Sequence, residues 1–193
     1  MSEAKTELWL FRHGETAWAL TGQHTSVTDI PLTEQGCKRA ERLRDFLNGR
    51  KFAAVYSSPR SRALETCRIA GYADQAQVED NLQEWNYGES EGKTTHEMQA
   101  LYPGWSVWTS PIVGGETVEA VGSRADAVIA RAAAVGGTVA LFAHAHILRI
   151  LAARWVGLEA VDGQMFALGT GSLSVLGWER ETRVVQGWNR GFE

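Results

Sequence analysis

The sequence predicts an α/β protein, with a mostly parallel sheet, helices on both of its faces and an antiparallel strand pair at one edge. Two observations lead there. Short apolar runs alternate with longer stretches of helical periodicity along the chain, the pattern of a parallel sheet with helical crossovers. The last two strand-like runs are joined only by a charged turn, which suits an antiparallel hairpin. At 193 residues the chain is expected to form one domain with a proper core, carrying a lid or cap over about 85–115.

Leu8 to Phe11 reads as a buried strand that ends abruptly in Arg12-His13-Gly14-Glu15. From Thr33 to Asn48, Cys37, Ala40, Leu43 and Leu47 recur near helical spacing, with Thr33 placed to cap. Phe52 to Ser57 is a second buried strand. Ser58-Pro59 reads as an N-cap followed by proline at the first helical position, opening a helix through Ala70. Val78 belongs to a short third strand, and Thr94 with Glu97 has capping-box spacing for a small helix to about Leu101. Tyr102 to Gly115, with two prolines, three glycines, Trp105 and Trp108, suits an ordered aromatic loop, either a lid over a site or a segment tacked to the core. Thr117 caps an alanine-rich helix to about Val135, Thr138 to Ala143 is a buried strand, and Ile147 to Val156 is an apolar helix stopped by Gly157. Ser172 to Trp178 and Val184 to Trp188 close the sheet.

Composition narrows the function. A net charge of −4 argues against nucleic acid, whose backbone demands a basic surface. No stretch approaches the ~20 apolar residues of a membrane span. The acidic N-terminus lacks the apolar segment of a signal peptide, so a cytoplasmic location is expected. Cys37 and Cys67 fall on expected helices and read as buried thiols. Exposed tryptophans would offer a contact for a homodimer.

Three strand ends carry unusual polar residues: Arg12-His13-Gly14-Glu15, Ser57-Ser58 and His144-Ala145-His146. Ligands of parallel α/β sheets bind outside the carboxyl ends of the strands, so the topology would unite them. A phosphoryl group fits these parts. An unprotonated nitrogen of His13 can attack phosphorus, with nearby cations favouring the neutral ring. Gly14 would allow close approach of the phosphate, Arg12 offers a charged fork for its oxygens, and the helix opened by Ser58-Pro59 would aim its amides and Arg62 at the same point.

These residues also carry a resemblance. Leu10-Phe11-Arg12-His13-Gly14-Glu15-Thr16 is similar to the Arg-His-Gly-Glu signature of the histidine phosphatase (phosphoglycerate mutase-like) superfamily. Four further segments follow in the family's order: Ser57 to Thr66, Leu82 to Gly92, Gly114 to Thr117 and Phe142 to Arg149. The resemblance implies a three-layer α/β/α sandwich and a phosphohistidine mechanism without metal or cofactor. It makes His13 the nucleophile, Arg12, Arg62 and His144 the phosphate pocket, and Glu84 the proton donor. Gly22 to Thr33 and His146 to Leu158 resemble the branch of sedoheptulose bisphosphatase and broad-specificity acid phosphatases. Ala145 stands where glycine is common, and Ala19 where mutases have asparagine, which disfavours the rival reading of a cofactor-dependent phosphoglycerate mutase. An inactive binding domain on the same fold is the remoter alternative.

The expected reaction is attack by His13 while Glu84 protonates the leaving alkoxide of a small phosphate ester, a sugar phosphate or bisphosphate foremost. Gln23, Thr25, Ser58, Ala145 and Thr117 are expected to contact the substrate along with Gly14. Glu15 is expected to orient His13 or to hold an arginine. Glu89 and Glu91 read as solvated loop acids, Arg39, Arg60 and Arg68 as surface arginines, and His24 and His96 as surface histidines.

Overall fold

The computed structural model describes residues 5–192. Six strands, β1 (Glu7–Arg12), β2 (Ala54–Ser57), β3 (Ala76–Val78), β4 (Thr138–Ala143), β5 (Leu173–Glu179) and β6 (Thr182–Arg190), form one sheet in the order β3-β2-β4-β1-β5-β6. β1, β2, β3 and β4 pair in parallel, whereas β5 runs antiparallel to β1 and β6 antiparallel to β5. The mostly parallel sheet with an antiparallel edge is thus as the sequence predicts.

Alternation along the central strands explains the layers, because successive side chains leave a strand on opposite faces. Leu8 and Leu10 join Leu141 against α5 (Val118–Val135) and α6 (Ala145–Trp155). Trp9 and Phe11 join Phe142 on the other face, against Leu43 and Leu47 of α2 (Glu34–Leu47) and Cys67 of α3 (Ser61–Ile69). Both faces are covered, so β4 reads Val-Ala-Leu-Phe-Ala without a polar break and is buried from Val139 onward.

Several boundaries are set by capping. Thr33 Oγ1 accepts from Gly36 N, Thr117 Oγ1 from Ala120 N, and Thr94 forms the expected capping box with Glu97 at the head of α4 (Thr95–Leu101). A short α1 (Ala17–Thr21), capped by Thr16, was not expected; at five residues it carries too little periodicity to be seen. Strand β2 begins at Ala54, not Phe52, whose ring packs edge-on against Trp9 and Phe11.

Two helix starts differ from expectation, and both bear on the site. α3 begins at Ser61, and Ser58 is not its cap. The carboxylate of Asp29, from a distant loop, accepts from Ser61 N at 3.0 Å and from Ser61 Oγ at 2.9 Å. α6 begins at Ala145 with His144 as N-cap, two residues before the apolar run. His146 therefore lies in a helical first turn and not on a strand. No helix among the described residues is long and apolar enough to cross a membrane.

Candidate active site

A cavity of about 430 Å³ opens at the carboxyl ends of β1 and β4. Of the residues expected to act there, Arg12, His13, Gln23, Thr25, Glu84 and Ala145 line it. Trp105 to Trp108 form one wall, so the 102–115 loop is both packed into the core through Trp105 and laid over the cavity.

The His13 ring lies against this cavity, only 6% exposed. Its Nδ1 is 2.7 Å from the Gly14 carbonyl oxygen, which can only accept. Nδ1 thus carries the ring proton, and Nε2 is left with an unshared pair. Burial, followed by the charges of Arg12 and Arg62, holds this imidazole well below its ordinary pKa, so the lone pair persists in acid. Arg12 donates to the Leu168 carbonyl, and its Nε is buried with no hydrogen-bond partner among the described residues. Burial pulls its pKa to about 10, which leaves it charged at neutral pH.

Glu84, 5% exposed, meets the N-terminus of α6. Its Oε1 accepts from Trp85 N at 2.9 Å and from Ile147 N at 3.0 Å, and its Oε2 accepts from His146 N at 3.0 Å. A carboxylate here answers two unpaired amides at the positive end of the helix. The sequence reading put the helix terminus facing the site on α3; it is α6, and an acid already occupies it.

Arg62 and His144 form a layer behind the cavity. The His13 and His144 ring centroids are 5.2 Å apart. Arg62 Nε donates to His144 Nδ1 at 3.2 Å, while its Nη1 donates to Thr28 O and its Nη2 to Thr25 O and Ser26 O. Because Arg62 can only donate, neutral His144 carries its proton on Nε2, 2.7 Å from Ser58 Oγ. Burial, then Arg62, lowers the His144 pKa far below normal. Both side chains are wholly buried and neither lines the cavity, so in this arrangement the charge of Arg62 acts on His13 through its field.

Other expectations need correction. Gly14 does not line the cavity: its N–H donates to Thr66 Oγ1, and a Cβ there would stand 2.6 Å from the Gly36 carbonyl. The glycine is needed where the His13 loop crosses the first turn of α2. Ser58 is buried behind His144, and Thr117 caps α5 beside a different cavity. Glu15 accepts from Thr33 Oγ1 at 2.8 Å and makes no hydrogen bond or ion pair with His13 or an arginine among the described residues. Glu91 is no solvated acid: its carboxylate accepts from Ser26 N and Thr28 N and pins the loop whose carbonyls bind Arg62. Arg60 is half-buried and donates to Val27 O and Gln83 Oε1. Arg39 is half-buried and donates to Thr170. Cys67 is buried as expected, whereas Cys37 is only half-buried. His24 is buried, its Nδ1 against Lys93 O, and it lines the cavity.

The sequence reading gave no catalytic or substrate-binding role to Tyr87, His146 and Arg149, which line the cavity beside Trp108 of the expected loop. Tyr87 Oη lies 2.6 Å from His146 Nδ1, the Trp108 ring is tilted against that of His146 with centroids 5.0 Å apart, and the Arg149 guanidinium lies 4.6 Å from the Trp108 ring centre. Had α6 been started at Ala145, the i, i+4 step to Arg149 would have put both residues on one helical face.

Residues 8–191 match the model of the histidine phosphatase superfamily, branch 1. The chain is 38% identical over 180 residues to an acid phosphatase of Mycobacterium tuberculosis, covering 91% of this chain and 88% of that one. It is 33% identical over 181 residues to the sedoheptulose 1,7-bisphosphatase of Saccharomyces cerevisiae, covering 77% and 67%. A solved structure of a Mycobacterium tuberculosis open reading frame matches with a TM-score of 0.90 and 35% identity, covering 97% of this chain and 99% of that one.

Proposed function

The chain belongs to the histidine phosphatase superfamily, branch 1, with relatives named acid phosphatase and sedoheptulose 1,7-bisphosphatase, and we propose that it is a metal-independent phosphatase of small phosphate monoesters acting through a phosphohistidine on His13. One observation carries this reading: the His13 ring donates its Nδ1 proton to the Gly14 carbonyl and keeps an unshared Nε2 pair, in a cavity that also presents Arg12 and Glu84. A nucleophile, a cation and an acid are the minimum set for in-line phosphoryl transfer to nitrogen.

In the first step Nε2 attacks phosphorus, the bond to the leaving oxygen breaks, and Glu84 delivers its proton to that oxygen. In the second step Glu84 takes a proton from water, whose oxygen attacks phosphorus and breaks the P–N bond. Arg12 neutralises the equatorial oxygens directly, and buried Arg62, which donates to neutral His144, adds positive potential from behind. That cationic field attracts phosphate and opposes a divalent cation at the same spot, which supports chemistry without metal. The low His13 pKa keeps the nucleophile neutral in acid, in keeping with a relative named acid phosphatase. Sugar phosphates or bisphosphates are the favoured substrates, supported by the bisphosphatase relative.

The test is phosphate release with chelator present, for wild type and His13→Ala. The panel holds sedoheptulose and fructose bisphosphates, 3-phosphoglycerate, glycerol phosphate and nitrophenyl phosphate. Chelator-resistant turnover that vanishes in the variant is the expected result. Activity that survives in His13→Ala, or that needs added metal, would overturn the mechanism.

A further inference from the structure

Gln23, His24 and Thr25 are consecutive on the cavity wall, and their hydrogen bonds divide them. Gln23 Nε2 donates to Gly92 O at 2.8 Å and its Oε1 accepts from Thr21 Oγ1 at 2.6 Å, while Thr25 Oγ1 donates to Gln23 O at 3.0 Å. The two residues expected to contact substrate thus commit these groups to the protein. His24, expected to be a surface residue, has the open group. Its ring Nδ1 lies 2.6 Å from Lys93 O, a carbonyl that also takes the His24 backbone N–H at 2.9 Å. A carbonyl can only accept, so Nδ1 carries the proton and Nε2 of the neutral ring keeps an unshared pair. Nε2 has no hydrogen-bond partner among the described residues and is not sealed off. Because His24 is only 7% exposed and lines the cavity, the cavity is where that nitrogen is open.

The ring is held in that orientation. Tyr87 and Trp105 pack edge-on against it, with centroids 4.9 and 5.4 Å away, and the Lys93 bond fixes its rotation. Burial holds the imidazole below its ordinary pKa, so the ring is uncharged at neutral pH and Nε2 is an acceptor. A fixed acceptor has nothing to offer a phosphate dianion, which presents only acceptors itself. It answers a donor on the rest of the ester. Arg12 and Arg149 on the same cavity oppose an ammonium group there, which leaves hydroxyls as the donors.

We propose that His24 Nε2 accepts a hydrogen bond from a hydroxyl of the substrate's alcohol portion, and so selects phosphate esters of polyols over those of simple alcohols. The inference rests on the chain being a phosphatase of small monoesters. An ester bound over Nε2 displaces water from it. A polyol replaces the lost hydrogen bond, whereas an alkyl chain leaves the nitrogen unpaired.

The test compares kcat/KM for glycerol phosphate with that for propyl phosphate, the same carbon chain without hydroxyls, in wild type and two variants. His24→Asn keeps a donor for Lys93 O but lacks Nε2. His24→Phe keeps a ring between Tyr87 and Trp105 but lacks both nitrogens. A neutral hydrogen bond is worth a net factor of about 2–12, and the preference for glycerol phosphate should fall by that factor in both variants. Taking the ratio within each protein cancels general losses of activity or folding. A ratio unchanged in both variants overturns the proposal. So does a fall confined to His24→Phe, which a more apolar wall would produce, or one confined to His24→Asn, which loosened ring packing would produce. Nitrogen NMR gives a readout without turnover. In His13→Ala protein saturated with glycerol phosphate, His24 Nε2 should stay unprotonated, and its resonance should differ from that in the propyl phosphate complex. A protonated Nε2, or the same resonance in both complexes, overturns the proposal. Absence of phosphate release from every ester by wild type would remove the phosphatase reading and this inference together. Turnover with unchanged ratios would remove this inference alone.

Discussion

Replacing Glu84 by glutamine changes one atom from an acceptor to a donor, and the structure says which hydrogen bond that breaks. The amide oxygen can stay where Oε1 is and keep the N–H groups of Trp85 and Ile147. The new NH₂ then faces the N–H of His146, donor against donor, at a residue only 5% exposed. An unsatisfied buried donor costs about 1–3 kcal/mol. For a chain of this size each kcal/mol lowers Tm by about 2–4 °C, so a fall of about 2–12 °C is expected by thermal melt. The catalytic effect is larger and depends on the leaving group. General acid help is worth about 10²–10⁴-fold, or about 2.7–5.4 kcal/mol of barrier, and glycerol alkoxide needs it whereas nitrophenolate does not.

In Glu84→Gln, kcat/KM for glycerol phosphate should therefore fall about 10²–10⁴-fold, far more than for nitrophenyl phosphate. The second step needs Glu84 as base for both esters. Rapid mixing with nitrophenyl phosphate should thus release a burst of nitrophenolate equal to the enzyme present, followed by slow turnover as phosphohistidine accumulates. Kinetics at 25 °C on protein shown to be folded separate this from the loss of stability. Equal losses on both esters with no burst would refute the assignment of Glu84, whatever the melting temperature did.

Glu91→Ala should cost about 1.5–3 kcal/mol for each charge-assisted bond lost to Ser26 N and Thr28 N, and raise KM by releasing the carbonyls that orient Arg62. Glu91→Gln should be milder, because one oxygen already serves both donors; equal effects of the two, by denaturant melts and KM, would count against this account. Stability should also fall with pH below about 6.5, the ordinary histidine value. His13, His144 and His146 have depressed folded-state pKa values, so in that range the unfolded chain takes up protons that the folded chain refuses. Each contributes up to about 1.4 kcal/mol per pH unit until its folded value is reached, and nothing above pH 6.5. Urea midpoints at pH 7.5 and 5.5 would show it; equal midpoints would contradict buried neutral imidazoles.

The fold was legible because its signals are local. Leu8 to Phe11 and Thr138 to Ala143 are short apolar runs between turn residues, and Thr33, Thr94 and Thr117 announce their helices by side chains that cap them. Where a cap comes from elsewhere, local reading fails. Ser58-Pro59 has the look of a helix start, yet the acceptor at the head of α3 is Asp29, more than thirty residues back. The α6 boundary was misplaced for the same reason, since the carboxylate that stabilises its first turn belongs to Glu84.

That pair of borrowed caps also explains why the site was only half legible. His13 and Arg12 stand together in sequence at the end of one strand, so their chemistry could be read from it. Glu84 could be placed only by resemblance, because nothing in its own neighbourhood says that it meets the amides of residues 146 and 147. Once it does, the electrostatics follow. The helix end that would otherwise attract a phosphate is already answered by a carboxylate, so in the proposed mechanism the phosphate charge falls to Arg12, with Arg62 behind it. The acid thus answers a helix end, while Arg12 and Arg62 are the charges that bear on His13. A chain that instead placed its acid at the head of α3 would put a second carboxylate beside Arg62, where Asp29 already stands 3.8 Å away, and weaken the field that, after burial, holds His13 neutral.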